Sequence, residues 1–399
     1  MGGDTDNTIA LPALGAASAA SQAIWRQLTQ QGFGGYDPYD AMASGGIPDR
    51  LCSTVMSRRL VTQLVKRCPV SLQPGLRIPK AVSAYTLGHA LIAVARSVHS
   101  GVMSAGRGRA VCGDLLIRLQ EQRATGYPGL SWGYHFPFSS RFSAYQVGMP
   151  NIIVTAFVAK GMAEVTRCGL TDCSEELERI SDFILEGLPR ETTDAGQRFG
   201  YLPTYGGSIH NANALAALGL AETGVLCRRP DLVEQAARAA EDVVAHQRPG
   251  GSWPYSEDPE GNWVDSFHTG FVLDGVRSVA DATGNDHLQH AVERGMRFYV
   301  ANLFGPDGEP YYTPQRHYPL DALAAAQAIE TLSWARRSAS KADVTLGSVV
   351  RWALQHIVST NGRVAYQVHR VYTDWRQFPR WSLAPMCSAL AGVAAQDTS

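Results

Sequence analysis

The sequence predicts an all-α chain folded as an α/α toroid, a double ring of about six helical hairpins. Two features of the pattern predict it, and the absence of a competing one supports it. A unit recurs in which an aromatic loop is followed by an apolar helix, then a more amphipathic helix, then another aromatic loop. The loops are GYPGLSWGYHFPF, RFGYLPTYGG, GGSWPYSEDPEGNW, DGEPYYTPQRHY and NGRVAYQVHRVYTDW. They return roughly every 50–70 residues, the length of a long hairpin with its connections. The helices straight after these loops are rich in Ala, Leu and Gly, as in NALAALGLAETG, GFVLDGV, DALAAAQAIETL and SLAPMCSALAGV. Apolar helices alternating with amphipathic ones fit an inner ring packed on all sides and an outer ring that is half wet. Strand signals are weak throughout.

Taken in order, residues 8–32 read as a helix ending at a glycine. Asp4, Asp6 and Asn7 before it echo the DxDD motif of class II terpene cyclases, but at a chain terminus they read better as caps. Residues 32–45, GFGGYDPYDAMASG, form a turn-rich segment holding Tyr36, Asp37, Tyr39 and Asp40. A helix carrying Arg58, Arg59, Lys66 and Arg67 follows, and then PVSLQPGLRIP, which its prolines keep extended. Helical periodicity resumes over residues 81–99 and 110–123. The expected division is an N-terminal helix, residues 1–35, and a single toroid domain, residues 36–399, with the N-terminal helices completing the ring.

Composition excludes several functions. The 35 Lys and Arg balance 36 Asp and Glu to a net charge of -1, which argues against a nucleic-acid partner. No apolar run is long enough for an integral membrane segment. The acidic N-terminus is unlike an export signal, and seven scattered cysteines without a CxxC pair fit buried thiols in a reducing cytoplasm. No P-loop, dinucleotide fingerprint, HExxH or GxSxG occurs, so nucleotide hydrolysis, dinucleotide chemistry, zinc proteolysis and α/β-hydrolase action are disfavoured. No spacing compels a metal, and no cofactor is expected.

The chemistry concentrates in residues 250–276, GGSWPYSEDPEGNWVDSFHTGFVLDGV, where Trp, Asp and His stand at the mouth of a helix. In a toroid the loops entering the inner helices gather on one face, so residues distant in sequence converge on one cleft. Asp265 and His268 are three apart and share a helical face; His317 and Asp321 are four apart and do the same. Two carboxylates entering one cleft suit general acid/base work at a glycosidic bond or a sugar C–H. Asp265 and Asp321 are therefore the expected acid/base residues, assisted by His268 and His317. Trp132, Tyr134, Trp253, Trp263, Tyr318 and Trp381 offer faces to sugar rings, and His210, Asn211 and Asn213 offer hydrogen bonds. Arg141 and Arg380 would grip a carboxylate or phosphate. Each aspartate could equally cap its own helix.

The motifs GYDPYDAMASG, KRCPVSLQPGLRIPK, WGYHFPF, IHNANAL, WVDSFHTGFVLDGV, HYPLDALAAAQAI and RWSLAP resemble, in this order, bacterial polysaccharide-biosynthesis proteins of the VpsJ type. The similarity runs from Tyr36 to Leu390. It implies an α/α toroid related to six-hairpin glycosidases and prenyltransferase-like rings, encoded with exopolysaccharide genes. Two departures stand out: Ala322-Leu323-Ala324 replace an Ile-His-Ser, and Ser382-Leu383-Ala384-Pro385 replace a Gly-Gln-Ala-Trp. Three functions remain open: a sugar- or glycan-active lyase, epimerase or hydrolase with a sugar or oligosaccharide substrate; a terpene-cyclase or prenyltransferase-like enzyme; or a non-catalytic scaffold of polysaccharide assembly. The oligomeric state is not legible.

Overall fold

The structure, a computed structural model, describes residues 11–139, 144–335 and 340–395. Its helices, in chain order, are α1 (Leu11–Gln30), α2 (Val55–Arg67), α3 (Ala84–His99), α4 (Ala105–Glu121), α5 (Ile152–Arg167), α6 (Ser174–Asp182) and α7 (His210–Leu226). They continue as α8 (Pro230–Ala245), α9 (Ser266–Thr283), α10 (Asp286–Asn302), α11 (Ala322–Ala335), α12 (Ser340–His356) and α13 (Ala384–Ala395). Helices α3, α5, α7, α9, α11 and α13 pack each on the next, and α13 packs back on α3 to close an inner ring. Helices α4, α6, α8, α10 and α12 each fold back outside their predecessor, and α1 packs on α13 as the outer helix of the last hairpin. The fold is the predicted α/α toroid.

The burial pattern explains which helix goes where. Helix α7 buries nearly every side chain from His210 to Ala221, so it can only be inside. Helix α8 buries a single stripe, Leu232, Ala236, Ala239, Ala240 and Val243, and wets its other face. Small residues set the inner spacing. A Cβ added to Gly161 would lie 2.5 Å from the Gly88 carbonyl oxygen, so α3 and α5 approach where neither has a side chain. The first and last described helices meet where the Ser21 hydroxyl of α1 donates to the Cys387 carbonyl of α13, at 3.0 Å.

Sequence periodicity located the elements better than their ends. The helix expected over 110–123 begins at Ala105, capped by the Ser104 side chain on Arg107 N–H. The strands that do exist are two or three residues long, too short to leave a period. The triple of Leu320–Asp321, Gln367–Val368 and Thr373–Asp374 pins the entry to α11 against a hairpin before α13.

All six inner helices open their N-termini on one face. Beneath that face, the ring's interior holds an ion network. Arg96 on α3 forks onto both oxygens of Glu330 on α11, at 2.6 and 2.8 Å, and also reaches Glu164 on α5 at 3.0 Å. Lys160 on α5 meets Glu330 at 2.6 Å and Asp274 on α9 at 3.9 Å. Burial would raise the Glu330 carboxyl, but Arg96 and Lys160 overcome it and hold it well below its ordinary range. Asp274 accepts from Gln327, Thr331 and Trp334, and there burial prevails and raises the carboxyl.

Candidate active site

The inner-helix N-termini surround a cleft of about 810 Å³. Tyr85, Ile153, Asn211, Phe271 and Leu323 reach it from five inner helices, and Met56, Arg59 and Leu60 of α2 form one side of its mouth. The remaining wall is heavily aromatic, including Tyr134, Tyr145, Tyr201, Tyr255 and Tyr312. Asp265 is the only carboxylate among the described residues lining it, against the cations Arg59, Arg67, Arg316 and Arg380. The helix dipoles add further positive potential at the same end.

Asp265 precedes the first turn of α9, and its local chemistry builds a dyad. One oxygen caps the helix by accepting the His268 backbone N–H at 2.9 Å. The other accepts from His268 Nδ1 at 2.7 Å. Asp265 is almost fully buried, whereas the His268 side chain is 21% exposed and lines the cleft. A carboxylate on Nδ1 fixes the neutral ring as the Nδ1–H tautomer and leaves Nε2 with its lone pair. No described residue hydrogen-bonds that nitrogen. Beside it, Tyr255 and Trp263 stack at 4.5 Å and 10°, a flat apolar platform, and Tyr255 meets the His268 ring edge-on. Asn211 lines the same wall, and no described residue bonds its buried Oδ1.

Arg380 and Trp381 enter from a single wide turn, Pro379–Leu383, that precedes α13. Local π-type winding often re-aims side chains at functional sites. Asp37 holds Arg380 through Nη2 at 2.9 Å and through Nε, and the guanidinium lies over the Tyr134, Phe136 and Trp381 rings. Trp381 is aimed in turn by Asp321, which accepts its indole N–H at 2.8 Å. The Lys66 ammonium of α2 donates to the Tyr39 hydroxyl on the cleft wall, and burial lowers its pKa.

The structure therefore brings together Asp265, His268, Tyr134, Asn211, Trp263, Arg380 and Trp381. The other expected residues lie off the cleft wall, each for a visible reason. Asp321 is buried with its oxygens spent on Trp381, Gln367 and the Leu323 N–H, and burial raises its carboxyl above the ordinary range. His317 and Tyr318 sit exposed on the rim, His317 stacked on Tyr311 at 3.6 Å. Trp132 and Trp253 are core residues whose indole N–H groups donate to the carbonyls of Leu119 and Val243, near the ends of the preceding outer helices. Trp253 reaches only a side cavity of about 10 Å³ behind the dyad. Asn213 bonds Phe199 N–H, Gln197, Ala239 and Asp242. His210, pushed down to about 4 mainly by burial, binds Glu257 at 2.7 Å and anchors the loop that carries the platform. Arg141 lies outside the described residues.

Asp37, Tyr39 and Lys66 belong to the site's wall or its supports without having been proposed as site residues. The signal available was the pair of Asp and Tyr residues in GYDPYD. What hid their role is distance, since Asp37 and Arg380 are 343 residues apart.

Solved structures share this fold at low identity. Cellobiose 2-epimerase from Bacillus thermoamylovorans superposes with a TM-score of 0.61 and 11% identity, covering 78% of this chain and 87% of that one. The GH76 α-mannanase of Bacteroides thetaiotaomicron gives 0.61 and 11%, covering 79% and 87%. A D-mannose isomerase gives 0.61 and 9%, covering 79% and 88%. At these identities the likeness establishes a shared α/α toroid fold. No family model matches the chain, and no curated protein matches it.

Proposed function

We propose that the protein is a sugar-active enzyme that moves a proton at a C–H next to a carbonyl, an epimerase or isomerase. The observation that carries this is the Asp265–His268 dyad, with Nε2 turned to the cleft beside a stacking platform. His268 Nε2 takes the proton from the carbon and its electron pair shifts into the adjacent carbonyl as an enolate. Return of a proton from solvent to the opposite face gives the epimer; return of the His268 proton to the neighbouring carbon, with the hydroxyl proton passing to the former carbonyl oxygen, gives the isomer. Asp265 holds the ring and offsets the charge of the imidazolium.

Glycoside hydrolysis fits less well. It asks for two carboxylates flanking the bond, and Asp321 has spent both oxygens while Asp265 serves the histidine. Prenyl-cation chemistry fits less well again, because Asn211, His268 and four arginines line the cleft, and their lone pairs and charges oppose a carbocation. A scaffold role would leave unexplained an oriented histidine whose outer nitrogen no described residue bonds. The excess of arginine, with the helix dipoles, favours an acidic reducing sugar such as a uronate or a sugar phosphate with a free carbonyl, within the polysaccharide biosynthesis that the VpsJ-type resemblance implies. The sugar-processing names of the toroid neighbours are consistent with this class, and Asp265, His268 and Asn211 are the residues to which we assign it.

The test is incubation with a panel of neutral and acidic reducing sugars, with products followed by NMR. Epimer or isomer formation supports the reading. Release of new reducing ends from oligosaccharides, without configurational change, would assign hydrolysis instead.

A further inference from the structure

Large apolar side chains exposed on this protein are not scattered. Of the fifteen among the described residues, seven fall between Leu51 and Leu72, and four more are Tyr318, Val371, Tyr372 and Trp375. Met56 is 72% exposed and Val371 91%. On α2, Met56, Leu60 and Leu64 recur every four residues, one continuous stripe on the outer face. The two groups form one surface. Arg376, next to the hairpin carrying Val371 and Tyr372, donates to the Val65 and Lys66 carbonyls at the end of α2. Arg370 of the same hairpin lies over the Tyr318 ring at 5.7 Å.

The charge of this surface is predominantly positive, although the chain as a whole is nearly neutral. Residues 50–80 contain seven Lys and Arg and no Asp or Glu, although Lys66 is buried on Tyr39 and Asp49 stands just before the segment. The hairpin adds Arg363 and Arg370, and its one acid, Asp374, is buried and paired with Arg376 at 2.6 Å. Aliphatic side chains on a basic helix, flanked by Tyr and Trp, match what lies in the headgroup region of a bilayer. A second copy would set like charge against like charge across a two-fold interface.

We propose that this face seats the protein on an anionic lipid surface, with the cleft mouth, walled by Met56, Arg59 and Leu60, opening against that surface. The apolar stripe enters the headgroup layer and the arginines meet the lipid phosphates, so attachment depends on both. This inference is independent of the reaction assigned above.

The test is co-sedimentation with phosphatidylcholine vesicles, with and without about one-third phosphatidylglycerol. The wild type is expected to sediment with the anionic vesicles, less so in high salt, and not with pure phosphatidylcholine. The double variant Leu64→Glu/Val371→Glu changes two exposed positions off the cleft wall, so its melting temperature should match the wild type. Its vesicle affinity should fall at least tenfold. Absence of wild-type binding, or unchanged binding by the double variant, overturns the proposal. So does a wild-type dimer that the double variant dissociates, which would give the face to a second copy.

Discussion

The two ends of the inner ring are built from the same helices and treat charge in opposite ways. Deep in the ring, Arg96, Lys160, Glu164 and Glu330 spend their charges on one another, the Arg96–Glu330 fork joining two helices and Glu164 with Lys160 adding a third. At the mouth, Asp265 fixes one nitrogen of His268, and no described residue bonds the other. Groups that satisfy one another hold the ring together; a group held on one side only can still take a ligand. Chemistry is thus assigned by the half-made interaction, and burial alone is a poor guide to it. We assign Asp321, buried with both oxygens bonded, to the architecture.

That contrast can be broken from either end. Glu330→Gln leaves Arg96 and Lys160 short of a partner and should cost about 3–5 kcal/mol of stability. Denaturant unfolding would measure that loss. Ligand binding at the cleft should persist under conditions where the variant is folded, and a stability loss below about 1 kcal/mol would mean that the network contributes little.

A pH dependence distinguishes Asp40, behind the mouth. Burial, with the neighbouring Asp37 charge, pushes its carboxyl up to about 7. A carboxyl raised in the folded state favours the protonated form, so this contribution is full below the unfolded value near 4 and is lost as pH rises through about 7. Asp40→Asn cannot ionise, and its stability relative to the wild type should improve by on the order of 1–3 kcal/mol between pH 4 and 8. A pH-independent difference between the two would show that Asp40 ionises as easily folded as unfolded.

The packing side of the comparison predicts smaller effects. Gly161→Val forces a side chain against the Gly88 carbonyl and should cost about 1–3 kcal/mol by thermal unfolding. Trp253→Phe removes the indole bond to Val243 and should cost about 1 kcal/mol, with the platform of Tyr255 and Trp263 retained. A large loss of ligand affinity in that variant would return Trp253 to the site.

What was legible in the sequence follows from range. The dyad could be read because Asp265 and His268 are three residues apart and the aspartate caps the helix it begins. The toroid could be read because apolar and amphipathic helices alternate. The recurring tryptophans misled because recurrence has two causes. Trp132 and Trp253 repeat since each pins its loop to the preceding outer helix by the same indole-to-carbonyl bond, a requirement of the hairpin. Asp37 and Arg380 join a loop to an element that it meets only when the ring closes, and Tyr39 and Lys66 are 27 residues apart with an irregular segment between them, so no local spacing announces either pair. Glu330 did carry a signal, an acid within the apolar run ALAAAQAIETL that follows Asp321, which implies a buried partner.

The most direct measurement is solvent deuterium incorporation into a bound sugar, followed by NMR for the wild type, His268→Gln and Asp321→Asn. Exchange at the carbon next to the carbonyl should be seen in the wild type and fall about 10²–10⁴-fold in His268→Gln. Asp321→Asn should stay within about tenfold of the wild type, since Asp321 acts only by aiming Trp381. Exchange that survives in His268→Gln and disappears in Asp321→Asn would contradict the account and make Asp321 the chemical group.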